Sequence, residues 1–295
     1  MIRRVTGAAS AGAPRKVMAK KKEKSYDVRK NEGVKFIVIP AFEALNLVRH
    51  GFSTRVGGVS SGPFKGMNLS LNSGEDKDLV EINRCMFVKA LNAGNPEVYT
   101  VRQMHGTRVL RIETRDHPAE EYRQAQADAI ITDQPGAAIG VLTADCVPIL
   151  MVDPEKKAVA AVHAGREGSL HHLISNVVER MHKDFGSSSG DLRAAIGPCI
   201  EAGCYEVGEE VAERVNRNHP VQKQALIHEG GSYFLDLRKM NHMELVNCGV
   251  KEDNIHHVDL CTACAPRTFY SHRKSNGKDT GRMMAMIMLI HEENS

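Results

Sequence analysis

Short apolar runs separated by turn residues organise the chain from residue 34 onward. Runs of about four to eight apolar residues, bounded by Gly, Pro, Asn or Asp, are typical of buried strands. They predict strands at residues 34–39, 48–53, 98–101, 109–112, 129–132, 138–142, 147–152, 158–162, 192–196 and 283–290.

Apolar residues at helical spacing predict amphipathic helices between these strands. The first includes Leu79 and Leu91 and is stopped by Gly94 and Pro96. Others are predicted at 170–181, 207–215 and 240–246. Strands interspersed with helices favour a mixed α/β fold. Because there is no internal repeat and no Gly/Ser-rich linker, we predict a single catalytic domain over residues 33–295.

Composition places the chain among ordinary globular proteins: of its 295 residues, 42% are hydrophobic and 25% are charged. No apolar run approaches the roughly 18 residues of a membrane-spanning helix, so a membrane protein is not expected. The net charge of +3 combines +7 over residues 1–32 with −4 over the remainder. We expect residues 1–32 to form a basic, disordered extension, in which Met18 is an alternative start.

The basic extension also raises the options of nucleic-acid binding and of a weak organellar transit peptide. The negative charge of the remaining chain and the absence of Trp argue against a nucleic-acid partner. No apolar segment precedes an Ala-x-Ala site, so a secretory signal is not expected. We expect a cytoplasmic monomer or small homo-oligomer.

Seven cysteines, an odd number, are spread through the chain. Without a secretory signal they predict reduced thiols rather than a disulfide framework, which directs attention to metal binding or thiol catalysis. His105, Cys146 and His163 each lie at or near the end of an apolar run. Two imidazoles and one thiolate suit zinc, and three ligands leave a fourth position open. The spacing matches no local metal motif, and a buried Cys146 with two structural histidines is the alternative.

Three further groups of residues carry polar chemistry. Residues 196–207 leave a strand through a turn whose backbone N–H groups could meet an anion. Cys261 and Cys264 form a C-x-x-C motif, which we interpret as structural because no second C-x-x-C completes a four-thiolate site. Arg273, Lys278 and Arg282 precede the last strand and predict a phosphate site, with a solvated basic loop as the alternative.

At these residues the chain resembles the YfiH/YlmD-type family, long labelled polyphenol oxidase or laccase-domain proteins and now regarded as purine nucleoside phosphorylases. The resemblance extends from about Phe52 to Leu289. Its motifs are Ser53-Thr54-Arg55 with 57–60, Asn68-Leu69, 103–106, 144–146, 163–165, 196–207, 261–266 and 280–282.

The resemblance implies a zinc ion held by His105, Cys146 and His163, with Cu²⁺ as a competitor. It implies a β-sheet sandwich flanked by helices, described as a YfiH-like or cytotoxic-necrotizing-factor-like fold. It also implies phosphorolysis of adenosine, inosine, guanosine and S-methyl-5′-thioadenosine, together with deamination of adenosine. Purine nucleoside and phosphate are then the partners.

Site roles follow as expectations from this resemblance and from the chemistry. Cys146, His163 and Asp145 are the predicted catalytic residues, Asp145 either handling protons or orienting a metal ligand. The predicted substrate contacts are Arg55, Asn68, Arg273 and Arg282. Two positions depart from the family pattern. Arg166-Glu167 replaces a Trp followed by Arg or Lys, which removes an aromatic ring and reverses a charge, and Ala265 stands where Asp is common.

Three other functions compete with the zinc enzyme. A metal-free thiol hydrolase would use Cys146 as nucleophile and His163 or His105 as base. A copper-dependent polyphenol oxidase would need many histidines, typically in His-x-His pairs. The sequence contains no His-x-His pair. A non-enzymatic protein that binds nucleic acid would have to do so through the basic residues 1–32 alone.

Overall fold

The computed structural model describes residues 25–94, 97–218 and 221–291. Within these ranges the strands in chain order are β1 (Asp27–Asn31), β2 (Val34–Val38), β3 (Val48–Ser53), β4 (Val98–Tyr99), β5 (Val109–Ile112), β6 (Ala129–Thr132), β7 (Ala138–Thr143), β8 (Val147–Asp153), β9 (Ala158–Ala164), β10 (Arg193–Ile196), β11 (Glu206–Val207), β12 (Leu226–Glu229), β13 (Ser232–Leu235), β14 (Ile255–His257) and β15 (Met283–Leu289).

The α-helices in the same ranges are α1 (Pro40–Glu43), α2 (Lys77–Ala90), α3 (Ala119–Tyr122), α4 (Arg166–Leu170), α5 (Leu173–Phe185), α6 (Glu209–Asn218), α7 (Leu237–Asn247) and α8 (His272–Ser275). Local chemistry sets their ends. The Asp76 carboxylate accepts a hydrogen bond from the Asp78 N–H and caps the start of α2. Gly186, at a φ of 72°, ends α5. None of these helices has both the length and the apolar character that a bilayer crossing requires.

Most predicted strands and helices are found within a few residues of their predicted bounds, and three differences have local causes. The helix predicted over 170–181 begins at α5, and α4 precedes it as a separate helix, because His172 adopts the left-handed φ of 60° between them. The helix predicted from residue 207 begins later, because β11 occupies residues 206–207. Strands β12, β13 and β14 were not predicted, because their apolar runs are short.

The predicted disordered extension over residues 1–32 is wrong at its end, because β1 lies inside that range. β1 pairs antiparallel with β2 along its whole length, from Asp27 opposite Val38 to Asn31 opposite Val34. Residues 1–24, including Met18, lie outside the described residues. The assignment of residues 33–295 to a single catalytic domain stays a prediction.

Two six-stranded sheets form the body of the fold. The first has the order β1-β2-β3-β15-β7-β4 and the second β14-β10-β8-β9-β6-β5, and a small third sheet has the order β11-β13-β12. Pairing is antiparallel except for β4 with β7, β5 with β6 and β10 with β14. The chain therefore crosses between the two large sheets several times, and the connections from β4 to β5, from β7 to β8 and from β14 to β15 bring residues to the same end of the sandwich.

The two large sheets pack face to face over one apolar core. Phe52 and Ile139 from the first sheet share a buried cluster with Ile130 and Leu150 from the second. The outer face of the first sheet is covered by α2, and the outer face of the second by α5, α6 and α7. The predicted mixed α/β sandwich flanked by helices is confirmed.

Candidate metal centre

Strand ends meet at one edge of the second sheet and bring the candidate chemistry together. β6 and β8 run antiparallel to β9 and flank it, so their first residues lie beside the last residues of β9. Asp128 precedes β6, Cys146 precedes β8, and His163 is the penultimate residue of β9. His105 reaches the same edge from the loop between β4 and β5.

His105, Cys146 and His163 form a compact group of three metal-binding side chains, which we call the triad. A nitrogen of each imidazole and the Cys146 sulfur lie within 4.8 Å of one another. The two imidazole rings approach edge to face, with centroids 4.8 Å apart. His163 is buried, Cys146 is half-buried and His105 is exposed. The structure thus brings together the three residues predicted as metal ligands, and ligation itself stays a prediction.

Asp128 positions two members of the triad, and no pattern in the sequence indicates this role. Its carboxylate accepts backbone N–H bonds from Met104 at 3.1 Å, His105 at 2.9 Å and Gly106 at 2.7 Å. It also lies 2.9 Å from Nδ1 of His163. Burial alone would raise the pKa of Asp128, but the hydrogen bonds from His163, Gly106 and Met104 lower it below its usual range. The ionised carboxylate therefore leaves Nε2 of His163 to face Cys146 and His105.

The loop that carries His105 has an unusual backbone. His105 has a φ of 58°, in the left-handed region that non-glycine residues rarely adopt, at a cost of about 1–3 kcal/mol. The three N–H bonds to Asp128 hold the loop in this conformation. The strained backbone conformation of His105 therefore helps to direct the side chain of this candidate ligand.

Gly165 leaves the space around the triad open. A methyl group on its Cα would lie 2.8 Å from Cδ2 of His105, 3.3 Å from the Cys146 sulfur and 3.6 Å from Cε1 of His163. Its φ is −73°, which any residue adopts, so the requirement for glycine here is steric. The ring carbons and the sulfur enclose a space that a side chain would fill.

Cys146 and His163 favour each other's charged forms. Removal from solvent raises the pKa of the Cys146 thiol, but the charge of His163 and hydrogen bonds from both histidines outweigh it and lower the pKa to about 6. Burial lowers the pKa of His163, but the Cys146 thiolate and the Asp128 hydrogen bond raise it to about 9. A thiolate is therefore available at neutral pH, as metal coordination and nucleophilic catalysis both require.

These features fit a transition-metal ion such as zinc. Zinc binds Cys sulfur at about 2.3 Å and His nitrogen at about 2.0–2.1 Å, and sites with three protein ligands keep one position open. A carboxylate behind a ligating histidine is the usual outer partner, and Asp128 supplies it for His163. A metal site also needs room for the ion and an ionised thiol. Gly165 preserves the space, and the low pKa of Cys146 supplies the thiolate.

The triad lies on the wall of a cleft of about 1010 Å³. The cleft is at the upper end of the range for small-molecule sites. Tyr205 and Glu167 are among its lining residues. The lining also carries four guanidinium groups, those of Arg102, Arg166, Arg273 and Arg282. An anionic group entering this cleft would meet several positive charges beside the triad.

Arg273 and Arg282, two of the predicted substrate contacts, line the cleft. The Arg273 guanidinium stacks over the Tyr205 ring at 5.0 Å and donates to the Glu206 carbonyl. Arg282 donates to the carbonyls of Thr280 and Gly281. Burial lowers the pKa of Arg282, while the charges of Cys146 and Asp145 oppose that shift. Both arginines are therefore held in place by backbone or aromatic contacts.

Arg55 and Asn68, the other predicted substrate contacts, do not line the cleft. Arg55 donates to the carbonyls of Lys65 and Pro266 and lies over the Tyr270 ring at 4.4 Å. Asn68 is fully buried. The structure does not bring these two side chains to the cleft, and substrate contact by either of them stays a prediction.

Asn68 nevertheless acts on the cleft indirectly. Its side-chain oxygen accepts the N–H of Arg282 at 2.9 Å and the N–H of Ser70 at 3.3 Å. Its nitrogen donates to Ser73 and Glu75. It is a positioning residue for the segment that carries Arg282.

Asp145 is also committed to hydrogen bonds within the fold. Its carboxylate accepts from the hydroxyls of Thr262 at 2.6 Å and Ser271 at 3.0 Å, and from the Arg273 N–H at 2.7 Å. Its φ is 94°. Of the two predicted roles, these contacts favour orientation of the adjacent Cys146 and of the Arg273 segment over proton transfer.

The departure from the family pattern at Arg166-Glu167 is compensated locally. Glu167 accepts from Arg214 of α6 at 2.8 and 3.2 Å and from Nε of Arg166 at 3.1 Å. These contacts lower the pKa of Glu167, the Arg214 hydrogen bond most strongly. The reversed charge is therefore paired with two arginines, and Tyr205 supplies an aromatic ring in the cleft lining.

Comparison with known proteins places this chain in a family. A family model described as multi-copper polyphenol oxidoreductase laccase matches residues 49–290. The chain is 35% identical over 244 residues to the purine nucleoside phosphorylase YlmD of Bacillus subtilis, covering 80% of this chain and 87% of that protein. It is 34% identical over 254 residues to the purine nucleoside phosphorylase YfiH of Escherichia coli, covering 86% and 99%. The chain belongs to the YfiH/YlmD family.

Solved structures of YfiH/YlmD proteins share the fold. YfiH of Bacillus licheniformis superposes with a TM-score of 0.80 at 31% identity, covering 89% of this chain and 98% of that one. YlmD of Geobacillus stearothermophilus gives a TM-score of 0.80 at 28% identity, covering 91% and 100%. The family resemblance read from the sequence motifs is confirmed.

Replacing Asp128 tests its hold on the triad. Asp128→Asn is expected to lower zinc affinity by about 10- to 100-fold, because a neutral amide no longer fixes the His163 tautomer or raises the basicity of its Nε2. Competition against a zinc-binding dye measures the affinity. The matched control is Asp133→Asn at the other end of β6, where the carboxylate pairs with Arg111 instead. Equal affinity in both variants would contradict the assignment.

Gly165→Ala tests the space at the triad. The backbone tolerates alanine and the exposed His105 ring can move away from the added methyl group, so the melting temperature should change little, whereas the displacement of His105 should lower zinc occupancy. Metal analysis and thermal denaturation provide the two readouts. Gly190→Ala is the control, because its nearest neighbour would be Cε of Lys251 at 3.6 Å. Full occupancy in Gly165→Ala would contradict the placement.

The charge pair predicts a pH dependence in metal-free protein. The thiolate absorbance that disappears in Cys146→Ser should titrate near pH 6, well below the value of about 8.5 for a free thiol. The contribution of Cys146 to stability should fall as pH drops through about 6, and that of His163 as pH rises through about 9. A thiolate midpoint at the free-thiol value would refute the pairing.

Proposed function

We propose that the chain is a zinc-dependent purine nucleoside phosphorylase that accepts adenosine, inosine, guanosine and S-methyl-5′-thioadenosine. The relatives named purine nucleoside phosphorylase support the reaction class. The observation that carries the proposal is that Arg273 and Arg282 line the same cleft as His105, Cys146 and His163. The cleft thus combines an anion-binding wall with a candidate metal centre.

The two arginines have the chemistry that phosphate binding requires. In phosphorolysis a phosphate dianion attacks the anomeric carbon of the ribose while the purine departs, giving the free base and the sugar 1-phosphate. Charge-assisted hydrogen bonds from guanidinium groups are strong and directional. Because Arg273 and Arg282 are already oriented by other contacts, they lose little freedom when phosphate binds.

The triad residues would hold the metal. When bound, zinc supplies a Lewis acid that polarises an oxygen atom of water or substrate. His163 and Cys146 provide a preformed pair of ligands, and Asp128 fixes the ring orientation of His163. Asp145 keeps the Cys146 turn and the Arg273 backbone at a constant separation.

Deamination of adenosine is a second activity that we propose for the same cleft. Three protein ligands leave a metal position open for water, as hydrolytic chemistry requires. The two reactions have different products from adenosine, because phosphorolysis gives adenine and deamination gives inosine. Their balance can therefore be measured in one assay.

A metal-free thiol hydrolase is the alternative that the geometry also favours. Cys146, His163 and Asp128 form a nucleophile–base–carboxylate series, with Asp128 on Nδ1 of His163. Inhibition by a chelator, reversed by zinc, would exclude a simple cysteine hydrolase. Reversal by copper alone would instead support the oxidase named in the family description.

The decisive assay incubates metal-analysed protein with adenosine, with and without phosphate, and resolves adenine, inosine and hypoxanthine. Adenine should form only with phosphate. Arg282→Gln should raise the KM for phosphate by about 10- to 100-fold, because it removes a hydrogen bond from a charged donor worth about 1.5–3 kcal/mol. Cys146→Ala should lose both zinc and turnover.

Arg55→Gln is the matched control for the phosphate contact. Arg55 and Arg282 were predicted for the same role from sequence, but only Arg282 lines the cleft. The KM for phosphate should therefore stay near the wild-type value in Arg55→Gln. Full activity in Cys146→Ala, or no adenine from the wild type, would refute the proposed function.

A further inference from the structure

Three cysteine sulfurs outside the cleft chemistry converge on one point. Cys204 ends a short 3-10 turn before β11, while Cys261 and Cys264 lie in the turn after β14. The three Sγ atoms are within 4.8 Å of one another, and those of Cys204 and Cys264 are 3.2 Å apart. All three are free thiols. The C-x-x-C motif thus gains its third sulfur from a distant part of the chain.

The backbone around Cys261 is arranged to stabilise a thiolate. Its sulfur accepts the N–H of Cys264 at 3.4 Å and the N–H of Glu201 at 3.5 Å. Hydrogen bonds donated to a sulfur favour its ionised form. One of these donors comes from the C-x-x-C turn and the other from the segment that carries Cys204, so both segments direct polar groups at the same atom.

The two segments are also fixed relative to each other. Residues Cys199 and Cys261 form a parallel bridge, in which the Thr262 N–H donates to the Cys199 carbonyl at 3.0 Å. Ile200 and Ala263 pack with Cys261 in a small buried cluster, and Cys204 lies against it. The sulfurs are therefore held together by the fold before any ligand binds.

We propose that Cys204, Cys261 and Cys264 form a second metal site, which binds a thiophilic d¹⁰ cation such as Zn²⁺ through three thiolates. Bonds of about 2.3 Å in tetrahedral geometry place sulfurs about 3.8 Å apart, within the range spanned here. Thiolate ligands select soft and borderline cations. Binding releases the thiol protons to solvent. Cys264 is exposed, so the site has an entry path and a fourth position for water.

The expected role of this site is to stabilise one wall of the cleft. Tyr205 follows Cys204 directly and lines the cleft, as does Ile200. An ion that links the two segments would restrict the motion of these residues. The proposal does not depend on the proposed function, because its test measures metal binding alone.

The test uses full-length protein kept reduced, in a Cys146→Ala background that removes the triad site. Cadmium is titrated as a probe, and the thiolate-to-cadmium charge-transfer absorption and the bound metal are measured. Cys146→Ala should bind one equivalent. Adding Cys264→Ser, at an exposed position, should lower the affinity at least tenfold, and adding Cys204→Ser as well should abolish binding.

The matched control adds Cys85→Ser to Cys146→Ala, because Cys85 is an exposed cysteine on α2 outside the three-sulfur cluster. This variant should keep one equivalent. Thermal denaturation should show that cadmium raises the Tm of the control but not of the variant lacking Cys204 and Cys264. Absence of cadmium binding by reduced Cys146→Ala, or equal binding after Cys204 and Cys264 are replaced, would overturn the proposal.

Discussion

The hydrogen bonds accepted by the Asp128 carboxylate are the constraint on which the candidate metal centre depends. A buried carboxylate is costly unless its oxygens are paired, and Asp128 is paired by three backbone N–H groups and one imidazole. These donors belong to two segments, the His105 loop and β9. The same contacts that satisfy the buried charge therefore fix the positions of both histidines. Without them the left-handed backbone at His105 would have no compensation.

The sandwich supplies the rest of the geometry. Cys146 lies in the connection from β7 in the first sheet to β8 in the second, so its position depends on how the sheets are stacked. His163 is on β9, whose register with β8 places it opposite Pro148. Because β9 is paired antiparallel with a strand on each side, the strand ends around His163 form a rigid support for ligands. The cleft forms where the loops of both sheets meet above this edge.

Local patterns in the sequence predicted the strands of the sandwich and the residues of the triad, because apolar periodicity and residue chemistry are local properties. They could not identify Asp128, since its partner His163 lies in another strand and no spacing relates them. Nor could they separate Arg282 from Arg55, because both are arginines in polar loops near glycine. Only the folded chain shows that Arg282 lines the cleft and that Arg55 does not. The family motifs had already grouped the three residues of the triad, but they did not distinguish Arg282 from Arg55.

Asp145 connects the triad, the three-sulfur cluster and the arginine-lined wall of the cleft. It is adjacent to Cys146, and it accepts hydrogen bonds from Thr262, between Cys261 and Cys264, and from the Arg273 N–H. One buried carboxylate thus connects the triad, the three-sulfur cluster and a cation of the cleft. Since a buried charged network keeps its geometry only while every partner is present, displacement of one group would be transmitted to the others. If both proposals hold, metal binding at the three-sulfur cluster would restrict the Arg273 segment, and so the position of bound phosphate relative to the triad.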